Sequence, residues 1–107
     1  MSEPGGQPSS ANHPPDEAPI MRVLEICNKK GLHARASAKF VQTVEKFDAE
    51  VKVKRGNEVV GGTSIMGLMM LSAGPGATIT VEASGRDAAA VLDALAALVS
   101  GRFTEEE

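Results

Sequence analysis

No tryptophan and no tyrosine occur in this chain of 107 residues, and three phenylalanines are its whole aromatic complement. Few platforms exist on which bases could stack, which argues against a single-stranded nucleic-acid binder. Positive charge is short as well: fourteen acids face eleven bases, a net charge of -3. Nucleic acid is therefore not an expected partner. Cysteine occurs once, as Cys27, which excludes an intramolecular disulfide and a cysteine-rich tetrahedral metal site. A protein of the reducing cytoplasm, with no metal and no cofactor, is the expectation. No apolar run approaches the roughly 18 residues needed to span a bilayer, and the first residues have neither the basic start nor the apolar stretch of a secretory signal. Neither membrane insertion nor export is expected.

Residues 1–19 lack lysine and arginine altogether while holding Glu3, Asp16, Glu17 and five of the six prolines. Such a segment has no periodic apolar face with which to offset its ordering entropy. It predicts a disordered N-terminal tail over 1–20, in which His13 is a solvated side chain without a role. Met21 is a second candidate start of translation. Glu105, Glu106 and Glu107 close the chain and predict an acidic C-terminal tail over 102–107. With three acids removed at each end, eight remain against eleven bases in residues 20–104. The expected domain, 21–101, is thus mildly basic between acidic ends.

Within that domain the periods are legible. "RVLEIC" sets Leu24 and Ile26 on one side of a strand, "EVKVKR" alternates Val51 and Val53 with Lys52 and Lys54, and "ATITVEA" alternates Ile79 and Val81 with Thr78, Thr80 and Glu82. "RGNE" turns the chain into a further strand, "EVVGG". Helical spacing links Phe40, Val41, Val44 and Phe47, and again Ala88, Val91, Leu92, Leu95, Leu98 and Val99. A short helix should begin at Ser64 and end before Gly74-Pro75-Gly76. The order is βαββαβα. Four half-wet strands and three one-sided helices satisfy each other when every helix covers the same face of the sheet. The expected class is α+β, an open-faced sandwich; periodicity does not give the strand order.

"GLHARASAKF" places His33, the one histidine of the folded part, at the entrance to the first helix. As its N-cap, His33 would be followed by the N–H groups of Ala34, Arg35 and Ala36, which have no intrahelical partners and carry the positive end of the helix dipole. Such a terminus suits phosphate. The same field disfavours charge on the imidazole and so keeps a ring nitrogen available as a nucleophile. Arg35 is poorly placed for helix stability at this end, and its planar fork can orient an anion bound there.

"GLHARASAKF", followed thirty-one residues after its histidine by "SIMGLMMLSAG", closely resembles the HPr family, the histidine-containing phosphocarriers of the bacterial phosphoenolpyruvate-dependent phosphotransferase system. The resemblance runs from about residue 21 to residue 100. It implies an antiparallel four-stranded sheet with three helices on one face. It also implies a carrier rather than an enzyme, whose His33 accepts a phosphoryl group from phosphorylated Enzyme I and passes it to an Enzyme IIA-type acceptor. Ser64 then matches the serine that a bifunctional HPr kinase/phosphorylase modifies, although serine is a preferred N-cap and a cap alone accounts for it. Ile65, Met66 and Met69 match a docking patch in which flexible methionines adapt to several partners; the competing reading makes them core.

Ala36 departs from the family pattern, where proline is frequent. A first-turn proline needs no N–H partner, so alanine replaces it without loss of a bond. Two branches stay open for the acceptor, sugar uptake and nitrogen-related regulation, and Ala36 inclines the reading to the second. A monomer is expected. Other classes fit less well. A metal-transfer module would need a Cys-x-x-Cys pair, where only Cys27 stands. An acid-base enzyme would pair His33 with an orienting carboxylate, and none is near in sequence, although a distant one could fold in. The runner-up is an HPr-like protein that acts only by binding transcription or metabolic regulators, against which the retention of His33 speaks.

Overall fold

The computed structural model describes residues 19–105. Residues 1–18 of the expected 1–20 tail, with His13, and the terminal Glu106 and Glu107 lie outside the described residues. The elements run β1 (Ile20–Glu25), α1 (Ala34–Val44), β2 (Glu50–Arg55), β3 (Glu58–Gly61), α2 (Ile65–Met70), β4 (Thr78–Ser84) and α3 (Ala88–Ser100). The βαββαβα order is the one read from the periods. The sheet has the order β1-β4-β2-β3, and each neighbouring pair is antiparallel.

Register explains which side each residue faces. Leu24 lies opposite Ile79, Val53 opposite both Val81 and Val60, and Val51 opposite Ala83. Because side chains alternate across a strand, these residues share the face that the helices cover, and all but the half-buried Val60 are buried. The other face carries Met21, Val23, Lys52, Lys54, Val59 and Glu82, with an ion pair between Lys54 and Glu82 at 3.0 Å. Phe40 from α1, Leu68 from α2 and Val91, Leu92, Leu95 and Val99 from α3 complete the core. Each fully buried large apolar side chain contributes about 1.5–3 kcal/mol relative to exposure.

Four local expectations shift. The apolar stripe of α1 was expected to carry Phe47, but the helix ends at Val44 and the chain tightens into i→i−3 bonds, from Lys46 N–H to Thr43 and from Phe47 N–H to Val44. Phe47 still packs on the core from the following turn. Cys27 falls just past β1, exposed, with its thiol donating to the Val99 carbonyl at 3.3 Å. The largest correction concerns residues 102–105, expected as part of an acidic tail. Arg102, Phe103 and Thr104 form a tight left-handed turn, with φ of 58°, 54° and 57°, and the Phe103 side chain is 0% exposed. Burying one large aromatic offsets a backbone conformation that L-residues ordinarily avoid. The start also moves by one residue, since Ile20 already pairs with Ala83. No helix of the described residues is long and apolar enough to cross a membrane.

Candidate functional site

His33 is the N-cap of α1, in extended conformation with φ −75° and ψ −177°. The first intrahelical bond runs from the Ser37 N–H to the His33 carbonyl at 2.8 Å, so the N–H groups of Ala34, Arg35 and Ala36 precede the helical ladder. One of them is turned onto the imidazole: Arg35 N–H donates to His33 Nδ1 at 3.2 Å. Nδ1 therefore carries a lone pair aimed at the positive end of the helix.

The loop before His33 owes its path to Gly31 and to the second sequence motif. Gly31 has φ +65°, and a Cβ there would stand 2.3 Å from the Ala73 carbonyl oxygen. The neighbouring Leu32 N–H donates to that same oxygen at 3.0 Å. Ala73 lies just after α2, so the segment following "SIMGLMML" anchors the segment bearing His33. Ser37 adds a buried hydroxyl that donates to the Leu32 carbonyl at 3.2 Å. The histidine loop is thus fastened to the helix that follows it and to a loop forty residues away in sequence.

A cleft of about 840 Å³ opens beside the ring, lined by Lys29, Lys30, His33, Ala34, Arg35, Lys39, Thr104 and Glu105. Arg35 is exposed at its edge, and its side chain enters none of the ion pairs among the described residues. Lys39 is placed differently from a free surface cation. Its ammonium donates to the Phe103 carbonyl at 2.6 Å and to Thr104 Oγ1 at 2.8 Å, bracing the left-handed turn.

Glu105 was missed by the sequence reading. Its carboxylate meets His33 Nε2 through Oε2 and accepts from Asn28 Nδ2 through Oε1 at 3.2 Å. Burial pushes the Glu105 carboxyl up, but hydrogen bonds from His33 and Asn28 and the charge of Lys39 outweigh it and hold it below the usual carboxylate range. The distant carboxylate that the sequence left open therefore does fold in, from seventy-two residues away.

Ser64 caps α2, with Oγ accepting from the Gly67 N–H at 2.9 Å and its carbonyl accepting from the Leu68 N–H at 3.0 Å. Gly67 is the residue that allows this, since a Cβ there would lie 2.9 Å from Ser64 Oγ. Around the cap, Leu68 points inward at 0% exposure, whereas Ile65, Met66, Met69 and Met70 are 39%, 69%, 39% and 68% exposed. The alternative that Ile65, Met66 and Met69 are core does not hold: one residue of this short helix is buried, and it is Leu68. The geometry therefore offers an unprotonated ring nitrogen at a helix N-terminus, cations lining the cleft, and an exposed apolar helix face.

Residues 20–101 match the family model described as the PTS HPr component phosphorylation site. The chain is 49% identical over 88 residues to the phosphocarrier protein HPr of Cupriavidus necator, covering 82% of this chain and 99% of that protein. It is 46% identical over 86 residues to the phosphocarrier protein NPr of Shewanella violacea, covering 80% and 94%. Among solved structures, HPr from Thermoanaerobacter tengcongensis superposes with a TM-score of 0.77 at 40% identity, over 82% of this chain and 99% of that one.

Proposed function

The chain belongs to the HPr family of phosphotransferase-system phosphocarriers, and from that premise we propose that His33 takes a phosphoryl group from phosphorylated Enzyme I and hands it to an Enzyme IIA-type acceptor. The observation that carries this reading is the Nδ1 lone pair of His33 directed at the N-terminus of α1, where Arg35 N–H meets it at 3.2 Å. When phosphorus bonds to Nδ1, that N–H and those of Ala34 and Ala36 face phosphoryl oxygens, and the helix dipole favours the added charge. Arg35 neutralises the dianion from the cleft edge. The chain carries the group as a covalent intermediate rather than turning over a substrate, and acts as a monomer in the cytoplasm. Relatives named HPr and NPr are about equally similar, so the choice between the sugar and nitrogen-related branches rests on the acceptor. Loading the protein with Enzyme I and phosphoenolpyruvate, then chasing onto a sugar-branch or a nitrogen-branch IIA protein, tests both steps. Transfer to neither acceptor would contradict the carrier role.

Ile65, Met66 and Met69 form the docking patch in this reading, with Lys29, Lys30 and Arg35 supplying charge toward acidic partner surfaces. Ser64, exposed at the head of the same helix, is the regulatory site for an HPr kinase/phosphorylase. Ser64→Ala should cost about 0.5–2 kcal/mol of stability through the lost cap and leave transfer intact. Ser64→Asp should keep the cap, because aspartate also accepts from the helix N–H groups, and yet slow transfer from Enzyme I. A charge beside Met66 and Met69 must be desolvated on docking, and a loss of about tenfold, equal to about 1.4 kcal/mol, is expected. Transfer rate and thermal midpoint separate the two effects. If Ser64→Asp transfers as fast as wild type over a range of salt, Ser64 is a cap only.

A further inference from the structure

The imidazole of His33 is held at both nitrogens, and both contacts require the same tautomer. Nδ1 accepts from the Arg35 N–H at 3.2 Å, so the ring proton resides on Nε2, where it meets the Glu105 carboxylate. That carboxylate is built in. Asn28, 0% exposed, spends one amide on two acceptors, Glu105 Oε1 at 3.2 Å and the Gly31 carbonyl at 2.8 Å. Its Oδ1 is buried and has no hydrogen-bond partner among the described residues. Rotating the amide would bring that oxygen against the carboxylate, so the orientation is set by Glu105 and Gly31. On the backbone side, Glu105 N–H donates to the Arg102 carbonyl at 3.0 Å, and Lys39 clamps the turn from α1. The His33 and Glu105 side chains are 28% and 12% exposed, so water competes only partly for the contact.

We propose that Glu105, oriented by Asn28, is a positioning residue for His33: its carboxylate accepts the Nε2–H, fixes the tautomer with Nδ1 unprotonated, and stabilises the ring when Nδ1 is phosphorylated. The proposal rests on the phosphocarrier reading for its reaction and on geometry alone for its tautomer. The family model matches residues 20–101, and Glu105 lies beyond that match. In the loading step the Nδ1 lone pair attacks phosphorus and the N–P bond forms. The bond from phosphorus to the donor breaks, and its electron pair leaves with the donor. No proton has to move, because Nε2 already carries one, and the positive charge that develops on the ring faces the carboxylate. In onward transfer the N–P pair returns to Nδ1, and the retained Nε2–H lets the ring leave as neutral imidazole. The carboxylate thus serves both directions, as the aspartate of a catalytic triad orients its histidine and stabilises the imidazolium.

The test uses the full chain as wild type, Glu105→Ala and Glu105→Gln, none of which alters the buried Phe103. Nitrogen chemical shifts of the His33 ring report the tautomer directly, and single-turnover loading by Enzyme I reports the chemistry. Wild type should hold the Nε2–H form. Glu105→Ala should lose that preference and load about tenfold more slowly, the low end of the range for removing the outer partners of metal-bound histidines. Glu105→Gln keeps an acceptor oxygen without charge; it should retain the tautomer and load at an intermediate rate. An unchanged tautomer balance in Glu105→Ala, or wild-type loading by both variants, overturns the proposal. A wild type that takes no phosphoryl group from Enzyme I contradicts the carrier reading instead, and the tautomer measurement still decides whether Glu105 positions the ring.

Discussion

His33→Ala is expected to take up no phosphoryl group from Enzyme I while remaining folded. Alanine offers no nucleophile, and no other described side chain stands at the α1 N-terminus with a lone pair facing the Arg35 N–H. The structural cost is that of a lost cap, about 0.5–2 kcal/mol. For a domain of this size that corresponds to a fall of roughly 4–8 °C in melting temperature per kcal/mol, far from unfolding at room temperature. The core beneath is untouched, since Ala36, Phe40 and Val41 bury the opposite side of the helix. His13 serves as the control, and His13→Ala should load as wild type. Undiminished labelling of the His33 variant would remove the basis of the carrier assignment.

Phe103→Ala should lower stability by about 3–5 kcal/mol, the usual cost of emptying a buried phenylalanine site. A C-terminal tail would give no such effect. Three successive residues, Arg102, Phe103 and Thr104, sit at positive φ, a conformation that costs roughly 1–2 kcal/mol per residue. The buried ring and the Lys39 bond to the Phe103 carbonyl at 2.6 Å are what oppose that cost. With the ring removed the turn loses its anchor, and Glu105 leaves His33. Phosphoryl loading should therefore slow at least as much as in Glu105→Ala, although Phe103 lies away from the ring nitrogens. Denaturant unfolding gives the stability and single-turnover loading gives the rate. Wild-type values for both would return residues 102–105 to the status of a tail.

Those residues also show where sequence reading stops. The strands are legible because Val51/Lys52/Val53/Lys54 and Ile79/Thr80/Val81/Glu82 alternate over a sheet that is dry on one side. The entrance to α1 is legible because a glycine, a histidine and a misplaced arginine concentrate special chemistry in five residues. The strand order β1-β4-β2-β3 has no local signature, since it depends on which apolar faces meet across long connections, and the antiparallel pairing came from family resemblance. At the C-terminus three glutamates dominate the composition and suggest solvent. A weaker signal was present: Leu92, Leu95, Val99 and Phe103 continue one apolar stripe at helical spacing past Gly101. The pairing of His33 with Glu105 joins residues seventy-two apart, and nothing in either neighbourhood announces it. Lys39 illustrates the same limit, as a lysine on a helix reads as a solvated cation until its acceptors are known.

The central claim is that His33 Nδ1 is the phosphoryl acceptor, and one measurement tests it most directly. Uniformly 15N-labelled wild-type protein is incubated with Enzyme I and phosphoenolpyruvate, its intact mass is taken before and after mild acid, and the phosphorus–nitrogen coupling is read in the His33 ring. A single added phosphoryl group, lost in acid and coupled to Nδ1, is the predicted result. No mass gain, an acid-stable phosphate, or phosphorus coupled to Nε2 would contradict it.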